Sequence, residues 1–598
     1  MLLTTWFPFQ PNGYTGHRYE VTGLSEYRGE GVMADATEKP RIDRVVFGTS
    51  LGFIVAFCIV GAVFPTAVGE VGSAVLSWLV VDLGWIYVLA ATGFVVFALW
   101  LALSKYGRIP LSRDTERPEF STASWIAMMF SAGMGIGLIF FGVAEPIAHL
   151  TEPAPGLDVA PESQDATRHS MAYTFFHWGL HPWAIYAVVA LALAYSTFRK
   201  DRGNLISSPF QSLVRDKEVE HTWWGRFVNI WSIVATKFGG ATSLGLGALQ
   251  IAGGLALFTD LGGGFTEGRG SKGSAFFVII VLVTLAIISA VSGVSRGIKW
   301  LSNTNMVLAA LLLLFVLIVG PTVFIFDLIP ASIGAYLSNL VPMSFSVPLF
   351  GGAEWFSSWT IFYWAWWISW TPFVSTFIAR ISRGRTIREF VSGVLLVPTA
   401  VSALWFTVLG GAGMDLELNG ADISGSGSTA QQFFTVLENY PGYTVTGIMV
   451  MVLVAIFWVS GADASALVLA TLSSHGAREP NKYLVALWAG LSAAVAAVLL
   501  YVGGLGALQT FTVIVAAPFV VVMIALCFAL MVDLRRDPLR ERQALPVRRG
   551  HVPPNDEAEA EQAGNGEIPQ ASPAKATAPP WAGRPPLPAG TSDVDSSK

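Results

Sequence analysis

Long apolar stretches alternate with shorter polar ones between residues 45 and 532. A helix that crosses a bilayer needs about 20 mostly apolar residues, and twelve stretches of about that length can be distinguished. The pattern predicts an all-α polytopic membrane protein with twelve transmembrane helices. The predicted helices are centred near Val55, Val95, Met134, Ala184, Leu244, Val283, Leu313, Trp366, Ser402, Met451, Ala493 and Val521.

The polar connections differ in their content of lysine and arginine, and this difference predicts how the chain is oriented. The segments 104–123, 196–229 and 379–389 are rich in basic residues. Because basic residues are retained on the cytoplasmic side, we expect these segments and both termini to be cytoplasmic, in the cell inner (plasma) membrane. Four intervening segments, which we predict to be outward loops, contain no Lys or Arg: 65–84, 327–358, 410–442 and 502–507.

The composition supports the same class of protein and excludes others. Of the 598 residues, 53% are hydrophobic and only 13% are charged, which is outside the range of a soluble globular chain. The net charge of −5 gives no indication of nucleic-acid binding. The sequence contains no phosphate-binding loop, no HExxH motif and no nucleophile next to a base, so we do not expect an enzyme.

Polar segments flank the apolar region, which we take as a transmembrane domain of residues 45–532. Residues 1–44 lack the apolar core of a cleavable signal peptide and predict a cytoplasmic tail. Residues 533–598 begin with a short basic segment and then become rich in proline and alanine. Prolines recurring from Pro546 to Pro588 exclude a continuous helix, so we predict a disordered C-terminal tail.

The eighth apolar segment is unusual because most of its tryptophans lie in its middle. Membrane tryptophans usually collect at the two headgroup levels, but residues 359–378 place several at mid-helix. Trp367 and Trp370 are three residues apart and share a helix face, which Tyr363 extends. Aromatic faces bind quaternary ammonium groups by cation–π attraction. The pattern indicates either such a binding surface or a bulky aromatic packing helix.

Aromatic residues also share one face of the fourth segment, FFHWGLHPWAIYAVVALALAY, where Trp183 and Tyr186 are three residues apart. His181 and Pro182 predict a kink near its outer end. His177 and His181 are four residues apart, a spacing that can bind metal. Because no acidic or thiol partner lies nearby in the sequence, we do not expect a metal site.

Three glycines alternate within the third apolar segment, at Gly133, Gly135 and Gly137. Each costs a helix about 1 kcal/mol relative to alanine, so together they predict a point where the helix unwinds. Unwound backbone at membrane depth lines a cavity or is buried in protein, and its free carbonyl and N–H groups can hold a cation or a carboxylate. The alternative is a packing seam of small residues between helices.

Several longer strings carry a resemblance to a known family. They are GMGIGLIFFGVAEP, HWGLHPWAIY, SLGLGALQI, GIKWLSNTNM and FYWAWWISWTPFVSTFIARISRGRTIREF. Over nearly the whole chain they resemble the betaine/choline/carnitine transporter (BCCT) family. The resemblance implies a LeuT-like fold, with inverted five-helix repeats at about residues 120–326 and 355–532 preceded by two extra helices. It also implies a homotrimer.

The resemblance further assigns residues to a substrate site. It places aromatic residues of segments four and eight around the substrate and along its access path, and the three glycines at the substrate carboxylate. Choline carriers of the family have an Asp at the position of Gly137, so its absence here implies a zwitterionic substrate. The implied residues are Trp183, Tyr186, Trp367 and Trp370, with Trp178 and Trp366 along the access path and Gly133, Gly135 and Gly137 at the carboxylate.

Two sodium sites are implied by the same resemblance, and each has lost one hydroxyl in this chain. Because a hard cation prefers oxygen ligands, we expect weakened sodium binding at the first site and little at the second. The first site comprises Ser131, Met134, Phe457 and Ser460, with Gly461 in place of a hydroxyl, and the second comprises Thr236 and Phe373, with Gly240 in place of a hydroxyl.

Lys237 follows Thr236 in the fifth apolar segment. An ionisable residue within a membrane helix suggests a function by default, so Lys237 is a candidate ion-coupling group. Its ammonium could replace a sodium ion, or it could titrate and couple protons to transport. Alternatively, its long side chain could simply reach the cytoplasmic interface.

These observations predict secondary active uptake of a zwitterionic quaternary-ammonium compatible solute. The resemblance indicates glycine betaine, moved by sodium symport, with sodium as the coupling ion and no other cofactor. Carnitine, ectoine or proline as the substrate, and proton-coupled or sodium-independent transport, are alternatives. A membrane sensor that binds the solute without moving it is the alternative from another class. The expected partners are the solute, sodium, the lipid bilayer and further copies of the chain.

Overall fold

A computed structural model describes residues 41–114, 116–133, 135–214, 217–258, 269–292, 295–348, 351–477 and 479–539. Within these ranges the regular structure is helical, apart from an isolated bridge between Pro110 and Thr386. The all-α prediction is therefore confirmed for this part. Nearly all of the predicted N-terminal tail, and the C-terminal tail beyond residue 539, lie outside the described residues. The α-helices are α1 (Arg44–Val63), α2 (Pro65–Leu103), α3 (Thr122–Gly133), α4 (Ile136–Thr151), α5 (Gln164–Trp178), α6 (Leu180–Ala194), α7 (Trp223–Phe258), α8 (Arg269–Ser292), α9 (Ser295–Val319), α10 (Thr322–Ser344), α11 (Ala353–Ser358), α12 (Thr360–Ile381), α13 (Ile387–Leu418), α14 (Thr429–Glu438), α15 (Tyr443–Leu472) and α16 (Lys482–Arg535).

Nine helices of the described chain are long and apolar enough to cross a membrane, with α5 and α6 counted together. Helix α12 is not among them, because its serine, threonine, tryptophan and tyrosine residues lower its mean hydropathy. Eleven of the predicted helix centres lie within described helices, and the remaining one, Met134, lies outside the described residues. The structure therefore supports a helical membrane protein, and twelve crossings remain a prediction.

Three of the predicted outward loops are largely helical. Residues 65–84 form the first half of α2, which starts at Pro65, a residue that suits the first turn of a helix. Residues 327–358 include most of α10 and all of α11. Residues 410–442 contain the end of α13 and all of α14. The prediction that these segments are loops was therefore wrong for most of their residues. The absence of Lys and Arg indicates orientation in the membrane and not secondary structure.

The two aromatic helices are central to the molecule. Helix α6 packs against α2, α12, α13 and α16, and every residue from His181 to Ala194 is buried. It is apolar on nearly all sides, as expected for a helix enclosed by others. Helix α12 is also mostly buried and packs against α6, α7 and α16. The fold thus places the faces of both helices inside the protein.

The third predicted helix is interrupted, as its glycines indicated. Helix α3 ends at Gly133 and α4 begins at Ile136, while Gly135 has an extended backbone with φ −159° and ψ −179°. A second interruption separates α5 from α6 at Gly179. The predicted kink at Pro182 was therefore misplaced, because that proline lies in the first turn of α6, where the helix tolerates it.

Helix α16 consists of two helices joined at a sharp bend. Its 54 residues would span about 80 Å if they were straight, which is far more than the thickness of a bilayer. The helical conformation breaks at Gly503 and Gly504, and Gly504 has φ +63°, a conformation that favours glycine. The break lies within the predicted turn at 502–507.

The three basic segments predicted to be cytoplasmic meet at one end of the molecule. The backbone N–H of Leu111 donates to Arg385 O at 2.8 Å, which joins the first segment to the third. Arg199 of the second segment donates to Asp114 Oδ1 of the first at 2.8 Å. Because separate parts of the chain come together here, the structure supports a location of all three segments on one side of the membrane.

Salt bridges connect these segments to one another and to the end of α16, and we call this region the ion-pair end. Asp537, just after α16, accepts hydrogen bonds from Arg199 Nε and from the Tyr195 hydroxyl, both at 2.6 Å. Burial raises the pKa of Asp537, but these hydrogen bonds outweigh it, so the pKa lies below its usual value. The other pairs are Arg113–Asp201, Arg199–Asp114, Arg202–Asp533, Arg380–Glu119 and Arg383–Glu116.

Candidate functional site

The aromatic residues of α6 and α12 lie against one another. The rings of Trp183 and Tyr186 have centroids 5.6 Å apart, and Tyr186 lies 6.3 Å from Trp367, both in edge-to-face geometry. Edge-to-face contact is a favourable arrangement of aromatic rings. The Ser375 hydroxyl of α12 donates to Tyr186 O at 2.9 Å and fixes the two helices together. The structure thus brings predicted residues of both helices into one aromatic surface.

The two tryptophans expected along the access path continue this surface. Trp366 stacks on Trp367 with centroids 4.8 Å apart, and Trp178 lies edge-on to Trp367 at 4.9 Å. Trp367 is anchored by its indole N–H, which donates to His177 O at 3.1 Å. We call the group the aromatic cluster; its members are Trp178, Trp183, Tyr186, Trp366 and Trp367.

Trp370 lies one helical turn beyond Trp366 and faces α7. Its ring contacts Phe373 at 5.3 Å, and a Cβ added at Gly239 of α7 would lie 2.7 Å from Trp370 Cδ1. The indole N–H groups of Trp370 and Trp366 are buried without a hydrogen-bond partner in the described part of the chain. Both can therefore donate to a bound molecule.

The interrupted helix meets the aromatic cluster at Gly137. A Cβ added at Gly137 would lie 2.6 Å from the Trp366 ring and 2.7 Å from the Trp178 ring, so a side chain there requires these rings to move. Gly135, in contrast, has open space around it. Gly133 ends α3, but its surroundings lie outside the described residues. The two unusual features of the sequence, the glycines and the tryptophans, are therefore in direct contact.

Helix α4 begins beside the aromatic cluster, at Gly135 as its N-cap residue, and no side chain caps it. Trp405 of α13 holds this first turn, because its indole N–H donates to Leu138 O at 2.7 Å. The first N–H groups of a helix have no partner within the helix and bind anions. The start of α4 is therefore suited to a carboxylate.

The structure describes only the α15 part of the first predicted sodium site. The Ser460 hydroxyl lies 2.8 Å from Ile456 O and 3.2 Å from Phe457 O. A Cβ added at Gly461 would meet no atom within 4 Å. The hydroxyl thus bonds back to its own helix, as serines in helices commonly do, and it lies next to open space at Gly461. The other two predicted contributors, Ser131 and Met134, have side chains outside the described residues.

At the second predicted sodium site, Thr236 has a buried hydroxyl that lacks a hydrogen-bond partner among the described residues. An unsatisfied buried polar group costs about 1–3 kcal/mol, which a bound cation would relieve. The position of Gly240, one turn later in α7, has open space around it. Phe373 packs on Trp370 in α12.

Lys237 contacts α16 and does not reach the surface. Its side chain is fully buried, and its ammonium donates to Trp488 O at 2.5 Å and to Ser492 Oγ at 2.6 Å. The ammonium also lies 5.1 Å from the centre of the Trp488 ring. The alternative that Lys237 extends to the interface is therefore wrong, because the packing of α7 against α16 encloses it. Its role as an ion-coupling group stays a prediction.

Glu145 of α4 is a central residue that the sequence analysis missed. Its carboxylate is fully buried; Oε2 accepts hydrogen bonds from the Trp178 indole N–H at 2.7 Å and from the Tyr363 hydroxyl at 2.5 Å. Its other oxygen, Oε1, lies 2.7 Å from His177 Nδ1. The signal that could have identified Glu145 is a lone acid within an apolar segment, which usually indicates function.

His177 and His181, whose spacing can bind metal, have different partners. His177 contacts Glu145, so the expectation of no acidic partner was wrong, because sequence distance hid a residue that the fold brings into contact. His181 instead lies 3.2 Å from the Ser344 hydroxyl, and its ring stacks on Trp364 with centroids 5.1 Å apart. His177 and His181 therefore do not form one metal site.

A second acid in a predicted membrane helix, Asp463 of α15, was also missed. It is buried, and its Oδ2 accepts a hydrogen bond from the Ser289 hydroxyl of α8 at 2.5 Å. It lies three residues after Ser460, so the two side chains share a helix face. Asp463 therefore places a carboxyl group on the same face as the predicted sodium ligand.

Comparisons with known proteins identify relatives along most of the chain. A sequence model of the betaine/carnitine/choline family transporters (BCCT) matches residues 45–539. The glycine betaine transporter OpuD of Bacillus subtilis (strain 168) is 43% identical over 494 residues, which is 82% of this chain and 94% of that protein. The betaine/ectoine transporter LcoP of Corynebacterium glutamicum is 40% identical over 521 residues, which is 86% of this chain and 81% of that protein. An ectoine/hydroxyectoine transporter of Virgibacillus pantothenticus is 38% identical over 491 residues, which is 81% of this chain and 95% of that protein.

Proposed function

Because this chain belongs to the betaine/carnitine/choline family of transporters, we propose that it takes up a zwitterionic quaternary-ammonium solute, with glycine betaine as the first candidate. The named relatives are transporters, which confirms that the chain is not an enzyme. The observation that carries the proposal is the contact between the aromatic cluster and Gly137 at the start of α4. One side of this junction suits a quaternary ammonium group, and the other suits a carboxylate.

In the proposed complex, the ammonium group lies against the tryptophan faces of the aromatic cluster, each of which contributes about 0.5–2 kcal/mol. The carboxylate accepts hydrogen bonds from the first N–H groups of α4. The indole N–H groups of Trp366 and Trp370, which lack an acceptor among the described residues, supply further donors. A cation without a carboxylate would gain only the contacts with the tryptophan faces. We therefore propose a zwitterion and not choline.

Ectoine is the second candidate substrate. The names of two relatives include it, and it also combines a delocalised cation with a carboxylate. Its ring carries N–H groups, whereas glycine betaine carries none, so ectoine needs hydrogen-bond acceptors beside the aromatic rings. Competition between the two solutes for uptake distinguishes them, and we expect glycine betaine to compete at the lower concentration.

The proposal includes a LeuT-like arrangement of twelve helices in two inverted repeats, with both termini cytoplasmic and a homotrimeric assembly. The interruption between α3 and α4 supports it, because broken helices carry the substrate sites of such transporters. The meeting of the three basic segments at the ion-pair end supports their common cytoplasmic location. The homotrimer rests on family membership.

Sodium is the proposed coupling ion, with nearer one than two sodium ions carried per substrate molecule. Ser460 and the Phe457 carbonyl offer oxygen ligands on α15, and open space at Gly461 admits a water in place of the missing hydroxyl. Thr236 offers one oxygen at the second site, with no partner at Gly240. Lys237 is the proposed coupling group if protons drive transport instead.

The test is uptake of glycine betaine into proteoliposomes on which sodium and proton gradients are imposed separately. We expect accumulation with an inward sodium gradient and none with a proton gradient alone. Accumulation driven by a proton gradient in sodium-free buffer would overturn the sodium assignment and favour Lys237. Saturable betaine binding without any accumulation would instead identify a sensor.

A further inference from the structure

Beside the aromatic cluster lies a second group of side chains that substrate binding does not use directly. It comprises Glu145 and His149 of α4 and His177 of α5, and each of these side chains is at most 1% exposed. One ligand atom from each residue can be chosen so that all three lie within 4.8 Å of one another. We call this group the Glu–His cluster.

We propose that the Glu–His cluster binds a divalent transition metal ion, with Zn²⁺ as its best match. Two imidazoles and one carboxylate are a common zinc ligand set, and a fourth position remains for water. At the usual bond lengths, tetrahedral zinc holds its ligand atoms about 3.4 Å apart. Glu145 Oε1 lies 3.4 Å from His149 Nε2 and 2.7 Å from His177 Nδ1, so a small widening of the second distance admits the ion.

His149 supplies an independent reason for this assignment. It is buried, and the polar contact of its ring to the Glu145 carboxylate is long, at 3.4 Å from Nε2 to Oε1, so neither ring nitrogen makes a hydrogen bond of good geometry in the part of the chain that the structure describes. Its ring packs against those of Trp355 and Trp359, with centroids 5.1 and 4.7 Å away. Such a buried polar group costs about 1–3 kcal/mol. A metal ion would give one nitrogen a strong partner.

The groups behind the ligands can stabilise them in the metal-bound form. Without metal, His177 Nδ1 donates to the Glu145 carboxylate; a metal ion would displace that proton, and a proton on Nε2 would then be donated to the Thr360 hydroxyl, 3.0 Å away. Glu145 directs its other oxygen to the Trp178 and Tyr363 donors, which fixes the carboxylate orientation. Outer partners of this kind are typical of protein metal sites.

A metal ion at this site would hold the access path in one conformation. Glu145 already links α4 to Trp178 at the end of α5 and to Tyr363 of α12. A metal bound by Glu145, His149 and His177 would tie α4 to α5, so any motion of Trp178, which follows His177, away from α4 would require loss of a ligand. Zinc is therefore an inhibitor of uptake; this consequence rests on the proposed function, whereas the binding of zinc does not.

The binding test uses the purified full chain, dialysed against EDTA and titrated with zinc chloride by calorimetry, with bound metal counted by mass spectrometry. We expect one tightly bound zinc per chain. His149→Ala should weaken its binding at least tenfold, and so should His149→Phe, which preserves ring packing against Trp355 and Trp359. The matched control is His221→Ala, because His221 belongs to an exposed group with Glu218 and is 56% exposed.

Unchanged zinc affinity in both His149 variants, or no saturable binding in the unmodified chain, would overturn the site.

The uptake test compares betaine accumulation with and without micromolar zinc, and each variant is compared with its own rate in the absence of zinc. We expect inhibition of the unmodified chain and of His221→Ala, reversal by EDTA, and no inhibition of His149→Phe. Zinc binding without inhibition would overturn the inferred restraint of the access path. Zinc binding in a chain that accumulates no betaine would contradict the proposed function and leave the metal site standing.

Discussion

The first residues of α12 adjoin a buried hydrogen-bond network, whereas its last residues carry ion pairs that reach solvent. At the start, Tyr363 donates to Glu145, and both side chains are fully buried. At the end, Arg380 pairs with Glu119 at 3.2 Å, with side chains 47% and 36% exposed, and Arg383, two residues past the helix, pairs with Glu116 at 3.0 Å, with side chains 39% and 27% exposed. The helix rises about 27 Å from Tyr363 to its last residue, Ile381, which separates the two regions.

This difference indicates how easily each end can open. Removing one partner from a buried polar or ionic network costs about 3–5 kcal/mol, whereas an exposed ion pair contributes about 0.2–1 kcal/mol. The exposed Arg383–Glu116 pair can therefore break at a small cost in free energy, whereas the Arg199–Asp537 pair of the same region is buried, with side chains 7% and 0% exposed, and is harder to break. Separation at the buried network would cost several times more than the loss of one exposed pair.

Glu145→Ala should produce the largest effect of any change at either end. It removes the acceptor of Trp178 and Tyr363 and leaves His177 without its partner. We expect a loss of about 3–5 kcal/mol in the free energy of unfolding, measured by thermal unfolding in detergent. Glu145→Gln keeps an acceptor oxygen, so its free energy of unfolding should decrease clearly less. If Glu145→Ala unfolds at the temperature of the unmodified chain, the proposed contrast between the two ends is wrong.

Trp367→Leu should weaken betaine uptake severely while the protein still reaches the membrane. The change removes a ring that contacts Tyr186, Trp178 and Trp366 in the aromatic cluster. Loss of one cation–π face costs about 1–2 kcal/mol, or about 5- to 30-fold in apparent affinity. Trp370→Leu should show a similar loss. The control is Trp85→Leu, because Trp85 is exposed on α2. Normal uptake by both Trp367→Leu and Trp370→Leu would refute the aromatic site.

Gly137→Asp should shift the preference from betaine toward choline. The new carboxylate supplies the negative charge that choline lacks, and we expect a change of about tenfold in the uptake ratio, or about 1.4 kcal/mol. Total uptake should fall, because the side chain must displace the Trp366 and Trp178 rings. Gly137→Ala is the matched control, since it causes the same displacement without charge. An equal ratio of choline to betaine uptake in Gly137→Asp and Gly137→Ala would show that position 137 does not face the substrate.

Gly461→Ser should strengthen sodium binding. The added side chain finds open space and restores a hydroxyl beside Ser460. One further oxygen ligand is worth about 1 kcal/mol, which lowers the sodium concentration for half-maximal uptake about fivefold. Gly490→Ser is the control, because its nearest atom, in Ile287, lies 3.8 Å from the added Cβ and no sodium site is predicted there. The same sodium dependence of uptake in the unmodified chain, Gly461→Ser and Gly490→Ser would argue against a sodium site on α15.

Arg383→Gln should have the smallest effect on the free energy of unfolding. Its ion pair with Glu116 is partly exposed, so we expect a loss of about 0.2–1 kcal/mol, which decreases further at high salt because ions screen exposed charges. The measurement is thermal unfolding at low and high salt, with Glu116→Gln and the double variant to isolate the pair. A loss as large as that of Glu145→Ala would remove the distinction between the two ends.

The sequence predicted the fold class well because the length and apolar character of helices are local properties. The interruption at Gly135 could also be predicted, since clustered glycines weaken a helix wherever they occur. The helical form of α10 and of the first half of α2 could not be inferred from the charge of the loops. Their extent depends on backbone hydrogen bonding and packing, which charge content does not report.

The aromatic part of the candidate site could be predicted from residue spacing on two helices, but the polar part could not. Trp183 and Tyr186 are neighbours on one helix face and meet Trp367 in the aromatic cluster, whereas Trp370, which the spacing places with Trp367, faces α7. Glu145 meets His177 only because α4 packs against α5, across 32 residues of sequence. Likewise, the ammonium of Lys237 finds its partners 251 and 255 residues away in α16. Such long-range pairs depend on the tertiary structure.

The interruption between α3 and α4 has a consequence for the direction in which a substrate lies. Helix α3 ends at Gly133 and α4 begins at Ile136, so the end of one helix dipole and the beginning of the next lie within three residues of each other. The two ends carry about half a negative and half a positive elementary charge. A zwitterion is itself a dipole, and this field stabilises it in one orientation and opposes the reverse. Every substrate molecule would then present the same end to the tryptophans, whichever way it tumbled on entry.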